Sequence, residues 1–160
     1  MRTLFAVLAL SLGWLPLAGA ADIGKPLVLV AKPELRDRLY GSTVLVVTPL
    51  GGDQHVGFIV NRPTRTTLGE LFPEHGPSHK VVDPVYLGGP FQPGAIFALV
   101  RRPDSPGGKS FEMMPGLFAA FDAEVVDRVI KSEPERAKFV AGLVAWRPGE
   151  LRYEIDQGAW

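Results

Sequence analysis

Residues 137–146, Ala-Lys-Phe-Val-Ala-Gly-Leu-Val-Ala-Trp, decide the fold, because this run is apolar at nearly every position. A stretch of that length and character suits a buried strand or a buried helix, and periodicity does not separate the two. The flanks are clearer. Before it, Asp122 is a good N-cap residue, and Val125, Val126, Val129 and Ile130 recur at helical spacing with Asp127, Arg128 and Lys131 on the other face. After it, Pro148-Gly149-Glu150 opens a last short helix with Leu151 and Ile155 on one side.

Working outward, residues 27–31 form an apolar run between Pro26 and Pro33 and read as a buried strand, with Pro33 opening a short helix through Arg38. Residues 43–48 and 56–60 make a hairpin around Gly51-Gly52-Asp53. Neither strand of the hairpin alternates cleanly, which predicts cover on both faces. The chain then meets the corner Asn61-Arg62-Pro63, followed by Thr67-Leu68-Gly69-Glu70, a capping box that predicts a helix of about one turn ending before Pro73. Residues 73–84 hold three Pro and one Gly and read as a surface loop. Residues 85–87 enter Gly88-Gly89-Pro90, and further strands are predicted over 95–100, 110–114 and 117–121, with a loop at 101–109. No internal repeat or linker interrupts the series, so residues 21–160 read as one α+β domain.

Composition bounds the function. The 160 residues are 46% hydrophobic and 21% charged, with 18 Gly, 15 Pro and no Cys. A single domain of this size buries roughly 68% of its unfolded surface and forms a core without disulfides or metal. Basic and acidic residues balance at 17 each. No run of Lys or Arg supplies a phosphate-neutralising patch, so nucleic acid is not an expected partner.

The N-terminus reads separately. Arg2, the apolar stretch over residues 4–17 and the small residues Ala18-Gly19-Ala20 have the order of a secretory signal peptide over residues 1–20. The stretch is shorter than the roughly 20 residues that cross a bilayer, which argues against a retained anchor. Cleavage after Ala20 predicts a protein that is periplasmic or secreted, with no membrane insertion after processing.

Catalytic signatures are missing. There is no G-x-S-x-G elbow, no phosphate loop and no H-E-x-x-H, so no catalytic residue, metal site or cofactor is assigned. His75 and His79 sit in a loop, where two imidazoles would need a third ligand such as Asp83, and the plain reading is a solvated loop. Asp122, Glu124 and Asp127 are what a helix N-terminus and its exposed face carry anyway.

Two corners remain. Pro63 pushes Arg62 towards extended geometry, Asn61 can bond its own turn, and a guanidinium fork suits carboxylate or phosphate. Gly88 and Gly89 permit a positive φ or a close backbone approach. Architecture is the first expectation for both corners. If they converge, Asn61, Arg62, Gly88 and Gly89 line a shallow polar pocket for a small anionic ligand.

The motifs "LVLVAKPELRDRLYGSTVLVV", "GFIVNRPT", "TLGELF", "VYLGGPFQPG" and "AWRPGELRYEI", in that order, resemble the YqgE/AlgH family over most of residues 27–160. The resemblance implies an α+β fold with a mixed, bifurcated sheet curled into a pseudo-barrel with a few flanking helices. It also implies that residues 137–146 are a strand. Family members carry the label of transcriptional regulator, with no established enzymatic activity, cofactor or substrate. Three departures stand out. Members are usually cytoplasmic, whereas this chain reads as exported. Where the family typically has Leu-His ending the strand that follows Gly-Gly-Pro, this chain has Leu99-Val100. It also stops at Trp160 where relatives continue, which predicts uncovered apolar surface and invites a protein partner or a homo-oligomer. The sequence thus predicts a non-catalytic exported binding or regulatory domain for a protein partner or a small ligand, with the Arg62 and Gly88-Gly89 corners as the surface used. The alternatives are an enzyme or carrier for a small anion at the two corners, and a transcriptional regulator by family label.

Overall fold

Ala137–Trp146 is a strand, and the sheet is organised around it. The computed structural model describes residues 22–160, so the signal-peptide reading of residues 1–20 lies outside the described residues. In chain order the elements are β1 (Leu27–Val30), β2 (Val44–Gly51), β3 (Gln54–Ile59), β4 (Pro63–Thr67), α1 (Leu68–Leu71), β5 (Pro84–Leu87), β6 (Phe91–Arg101), β7 (Ser110–Met114), β8 (Leu117–Ala120), α2 (Ala123–Ser132), β9 (Ala137–Trp146) and α3 (Glu150–Asp156). Short 3₁₀ turns cover Gly76–Lys80 and Pro134–Arg136.

One edge of β9 runs antiparallel along β6, from Leu143 opposite Phe91 to Ala137 opposite Val100. Its other edge is divided. Val140 and Ala141 pair parallel with Tyr86 and Leu87 of β5, and Val144, Ala145 and Trp146 pair antiparallel with β3. This fork makes the sheet bifurcated and mixed. The nine strands follow the path β1-β2-β3-β9-β6-β8-β7, with β4 and β5 as a side arm. β7 returns beside β2, so the curled sheet is nearly closed.

Gly142 lets one strand serve both halves. Before it, Ala137, Phe139 and Ala141 face α2, while Val140 faces the interior. After it, Leu143 faces the interior and Val144 and Trp146 pack on Leu151 of α3. The phase of alternation has shifted by one residue, as an irregular position in a strand does. Gly142 has φ +75°, a backbone region that glycine enters freely. Three packed clusters result: α2 on one outer face, α3 on another, and Phe58, Phe97, Leu99 and Met113 inside the curl. Full burial of side chains such as Phe58, Leu45 and Ile59 contributes roughly 1.5–3 kcal/mol each.

Local signals explain the helices. Thr67 and Glu70 form the expected capping box at α1, and Asp122 accepts the Glu124 amide at 3.0 Å to start α2. α3 is pinned because Glu154 Oε2 accepts the indole N–H groups of Trp146 and Trp160 at 2.9 and 2.8 Å. β2 and β3 are largely buried, as the hairpin reading required.

Other expectations are corrected. Residues 33–38 are turns and irregular backbone, not a helix. Asp37 Oδ1 accepts the amides of Leu39 and Tyr40, both at 2.8 Å, and this local bonding competes with a helix. β1 is an edge strand with Val28 and Val30 more than half exposed, because nothing covers its outer side among the described residues. Residues 63–67, from the end of the corner to the cap of α1, form β4, which the sequence reading did not predict, and the loop at 73–84 contains a 3₁₀ turn with Ser78 fully buried.

Candidate functional site

The two corners meet at the fork in the sheet. The amide of Leu87 donates to the Arg62 carbonyl, the Ile59 amide to the Gly88 carbonyl and the Gly88 amide to the Ala141 carbonyl, each at 2.8 Å. Neither Gly88 nor Gly89 has a positive φ. Their need is proximity: a Cβ on Gly88 would strike the Gly142 carbonyl oxygen, and one on Gly89 the backbone of Leu143. Both glycines are buried.

The side chains of the first corner face the chain itself. Asn61 Oδ1 accepts the Val44 amide at 2.8 Å, and its Nδ2 donates to the Ser42 carbonyl at 3.0 Å. Arg62 donates to the carbonyls of Arg38 (3.0 Å), Leu39 and Gly41 (3.4 Å). A planar fork of donors suits several carbonyls at once. The guanidinium therefore holds the 38–41 segment against the start of β2. Asn61, Arg62, Gly88 and Gly89 do come together, as a joint in the backbone; the two concavities described below are lined by other residues.

A concavity of about 380 Å³ lies between the end of α1, the 3₁₀ turn, β6 and α2. Its walls are Phe72, Ile96, Phe121, Val126 and Ile130, with His75, Ser78 and Asp127 at its polar end. α2 supplies the long wall because Val125, Val126, Val129 and Ile130 are buried against the sheet, which leaves Asp127 on the flank of the helix. Phe72 and Phe121 are nearly half exposed and stand at the mouth.

The polar end is a chain of three groups. His75 Nδ1 lies 2.6 Å from Ser78 Oγ, and Nε2 lies 2.8 Å from Asp127 Oδ1. The second contact is short but off-axis, so Nε2 is buried without a well-aligned hydrogen bond. Asp127 Oδ2 also takes Lys131 Nζ at 2.7 Å. That bond first, and His75 after it, holds the Asp127 carboxyl below its ordinary value of 3.8. Serine, imidazole and carboxylate in sequence have the composition of a nucleophile relay. Ser78 borders the polar end, but it has no accessible surface and its hydroxyl is engaged by His75, so it is closed to a ligand in the cleft. The trio is a latch between the 3₁₀ turn and α2.

His79 does not join it. Its Nε2 bonds the Pro73 carbonyl at 2.8 Å, and among the described residues no group of three or more His, Asp and Glu side chains converges as a metal site. Sequence reasoning missed the cleft because its polar end joins residues far apart in the chain. The one local signal was His75 and Ser78, three positions apart in a Pro-Gly-rich loop.

A family model described as AlgH-like matches residues 28–160. A UPF0301 protein of Thermobifida fusca (strain YX) is 32% identical over 142 residues, covering 83% of this chain and 72% of the relative. A UPF0301 protein of Myxococcus xanthus (strain DK1622) is 28% identical over 138 residues, covering 84% and 75%. Among solved structures, the AlgH protein from Pseudomonas aeruginosa is similar with a TM-score of 0.69 and 23% identity, covering 86% of this chain and 75% of that one. A crystal structure of a Corynebacterium diphtheriae protein is similar with a TM-score of 0.66 and 20% identity, covering 83% and 71%. At those identities the two structures speak for the fold. Because the matched region runs from β1 through both corners and the forked strand to α3, the chain belongs to the AlgH-like family.

Proposed function

We propose that this protein is a non-catalytic, exported binding domain whose ligand seat is the cleft between the 3₁₀ turn, β6 and α2. The observation that carries the reading is an apolar cleft of about 380 Å³ with one polar end and no accessible nucleophile. Small-molecule sites have this form, with volumes of roughly 300–1,000 Å³, mostly apolar walls and a few polar groups that fix orientation. The ligand class that fits is a small molecule with an aromatic or branched body, placed between Phe72, Phe121 and Ile130, and a hydrogen-bonding head at His75 and Asp127. Export is supported by Arg2, the apolar residues 4–17 and Ala18-Gly19-Ala20.

Ligand-observed NMR with a library of small aromatic compounds tests the seat. Hits are expected on the wild type and not on Val126→Trp, whose larger ring fills the cleft, while circular dichroism remains native. Hits that survive Val126→Trp unchanged, or turnover of a hydrolase substrate panel that Ser78→Ala abolishes in a folded variant, would overturn the reading. Intact mass of the protein from its host tests export, and an unprocessed Met1 start would contradict it.

A further inference from the structure

The curled sheet has a second opening, with a different chemistry. Register places Leu99 opposite Lys138 and Arg101 opposite Leu117, so these four side chains share one face. That face is the inner one, since Leu99 packs with Phe58, Phe97 and Met113. The concavity at this end holds about 340 Å³. Val46, Val60, Leu99 and Leu117 form its floor, and the rim carries Arg101, Arg136 and Lys138 with a single carboxylate, Glu135. Below the floor the barrel is packed shut, because Phe58 and Met113 have no accessible surface.

The rim charges are not neutralised by the fold. Arg102, the next residue, is paired with Glu133 at 2.5 Å and Asp104 at 3.5 Å. Arg101 and Arg136, by contrast, have no side-chain hydrogen bond or ion pair among the described residues. Lys138 Nζ sits 3.4 Å over the Tyr86 ring, a contact that fixes the ammonium without cancelling its charge. Three cations against one anion, above an apolar floor at the mouth of a barrel, select an anionic head on an apolar body.

We propose that this mouth binds a small amphiphilic carboxylate, with its carboxylate between Arg101, Arg136 and Lys138 and its apolar body on Val46, Val60, Leu99 and Leu117. An inorganic anion would engage the rim and leave the floor wet. A neutral amphiphile would engage the floor and leave two guanidinium groups without a partner. The volume is a little over twice that of a cavity of about 150 Å³ that holds benzene, which suits a body of roughly eight to twelve heavy atoms. This site is separate from the cleft at α2 and does not depend on it.

Isothermal titration and amide chemical-shift mapping on the folded chain test the proposal, with octanoate and 2-naphthoate as probes, octanol as the neutral control and inorganic phosphate as the headgroup control. Both carboxylates are expected to shift the amides of Arg101, Leu117 and Lys138. Octanol and phosphate are expected to bind at least about tenfold more weakly. Arg101→Glu with Arg136→Glu, both exposed and outside the core, should weaken octanoate by about a hundredfold with native circular dichroism, while Val126→Trp should leave it unchanged. Octanol binding as tightly as octanoate, phosphate as tightly as the carboxylates, or carboxylate affinity that survives the charge reversals would each overturn the proposal.

Discussion

The amide of Leu87 donates to the carbonyl of Arg62 at 2.8 Å, so the Gly-Gly-Pro corner hangs from the Asn-Arg-Pro corner where β3 and β5 part on either side of the fork. That one bond, with the neighbouring bonds of Ile59 and Gly88, closes the gap a bifurcated sheet would otherwise leave open. Unpaired backbone groups buried in such a gap would each be costly. The corners therefore have a structural duty before any other.

Gly89→Ala should be severely destabilising. The added methyl lands on the Leu143 backbone, which cannot yield as a side-chain tip can. Overpacking of this kind costs about 1–3 kcal/mol and sometimes more. Urea unfolding measures it, and a loss below about 0.5 kcal/mol would show that the strands move apart freely.

Arg62→Ala should cost about 2 kcal/mol, because hydrogen bonds to a charged group are lost and the carbonyls of Arg38, Leu39 and Gly41 lose their shared donor. Arg62→Lys should recover only part of this, since one ammonium does not reproduce the fork. Thermal unfolding of the pair separates the two effects. Equal stability of the Lys variant and the wild type would assign the role to charge alone.

Acid should weaken the fold in a defined window. Asp37 is held below the ordinary 3.8 by the Tyr40 amide first and the Leu39 amide next, and Asp127 by Lys131 first. A carboxyl whose folded pKa lies below its unfolded value stabilises the fold above the unfolded value, and that stability is lost as pH falls through the folded one. The urea midpoint should thus be flat above about pH 5 and fall below about pH 4, with a shallower fall in Asp37→Asn. A midpoint that rises on acidification would reverse the sign of the assignment.

His75→Ala should loosen the cleft without unfolding the domain. The change removes the hydrogen bond to Ser78, worth about 1 kcal/mol, together with the off-axis contact to Asp127 of α2. Faster amide exchange over residues 76–80, with β9 unchanged, is the expected signature. Uniform destabilisation of β9 would mean that the imidazole is part of the main core.

Much of this architecture was legible in the sequence, for local reasons. The Thr67–Glu70 capping box, the Asp122 cap and the valine spacing of α2 are rules written within a few residues, and each formed as read. Residues 137–146 were ambiguous because apolarity reports burial and not shape, and the family resemblance rightly implied a strand. β4 was missed because Pro63-Thr-Arg-Thr-Thr has no apolar alternation; its partner is β5, not a packed layer. The corners could be singled out, but the partners of Arg62 lie in residues 38–41, across the fold. Both concave sites were invisible, since His75 meets Asp127 only when the 3₁₀ turn packs on α2, and Arg101 and Lys138 line one mouth only when β6 pairs with β9.

Native-state hydrogen exchange at Ile59, Leu87 and Gly88 tests most directly whether the corners are the joint of the sheet. These three amides should exchange with the slowest class, alongside Val140, and all three should accelerate together in Arg62→Ala. Exchange within seconds, at the pace of the 102–109 loop, would show that the corners are free surface and would contradict the account.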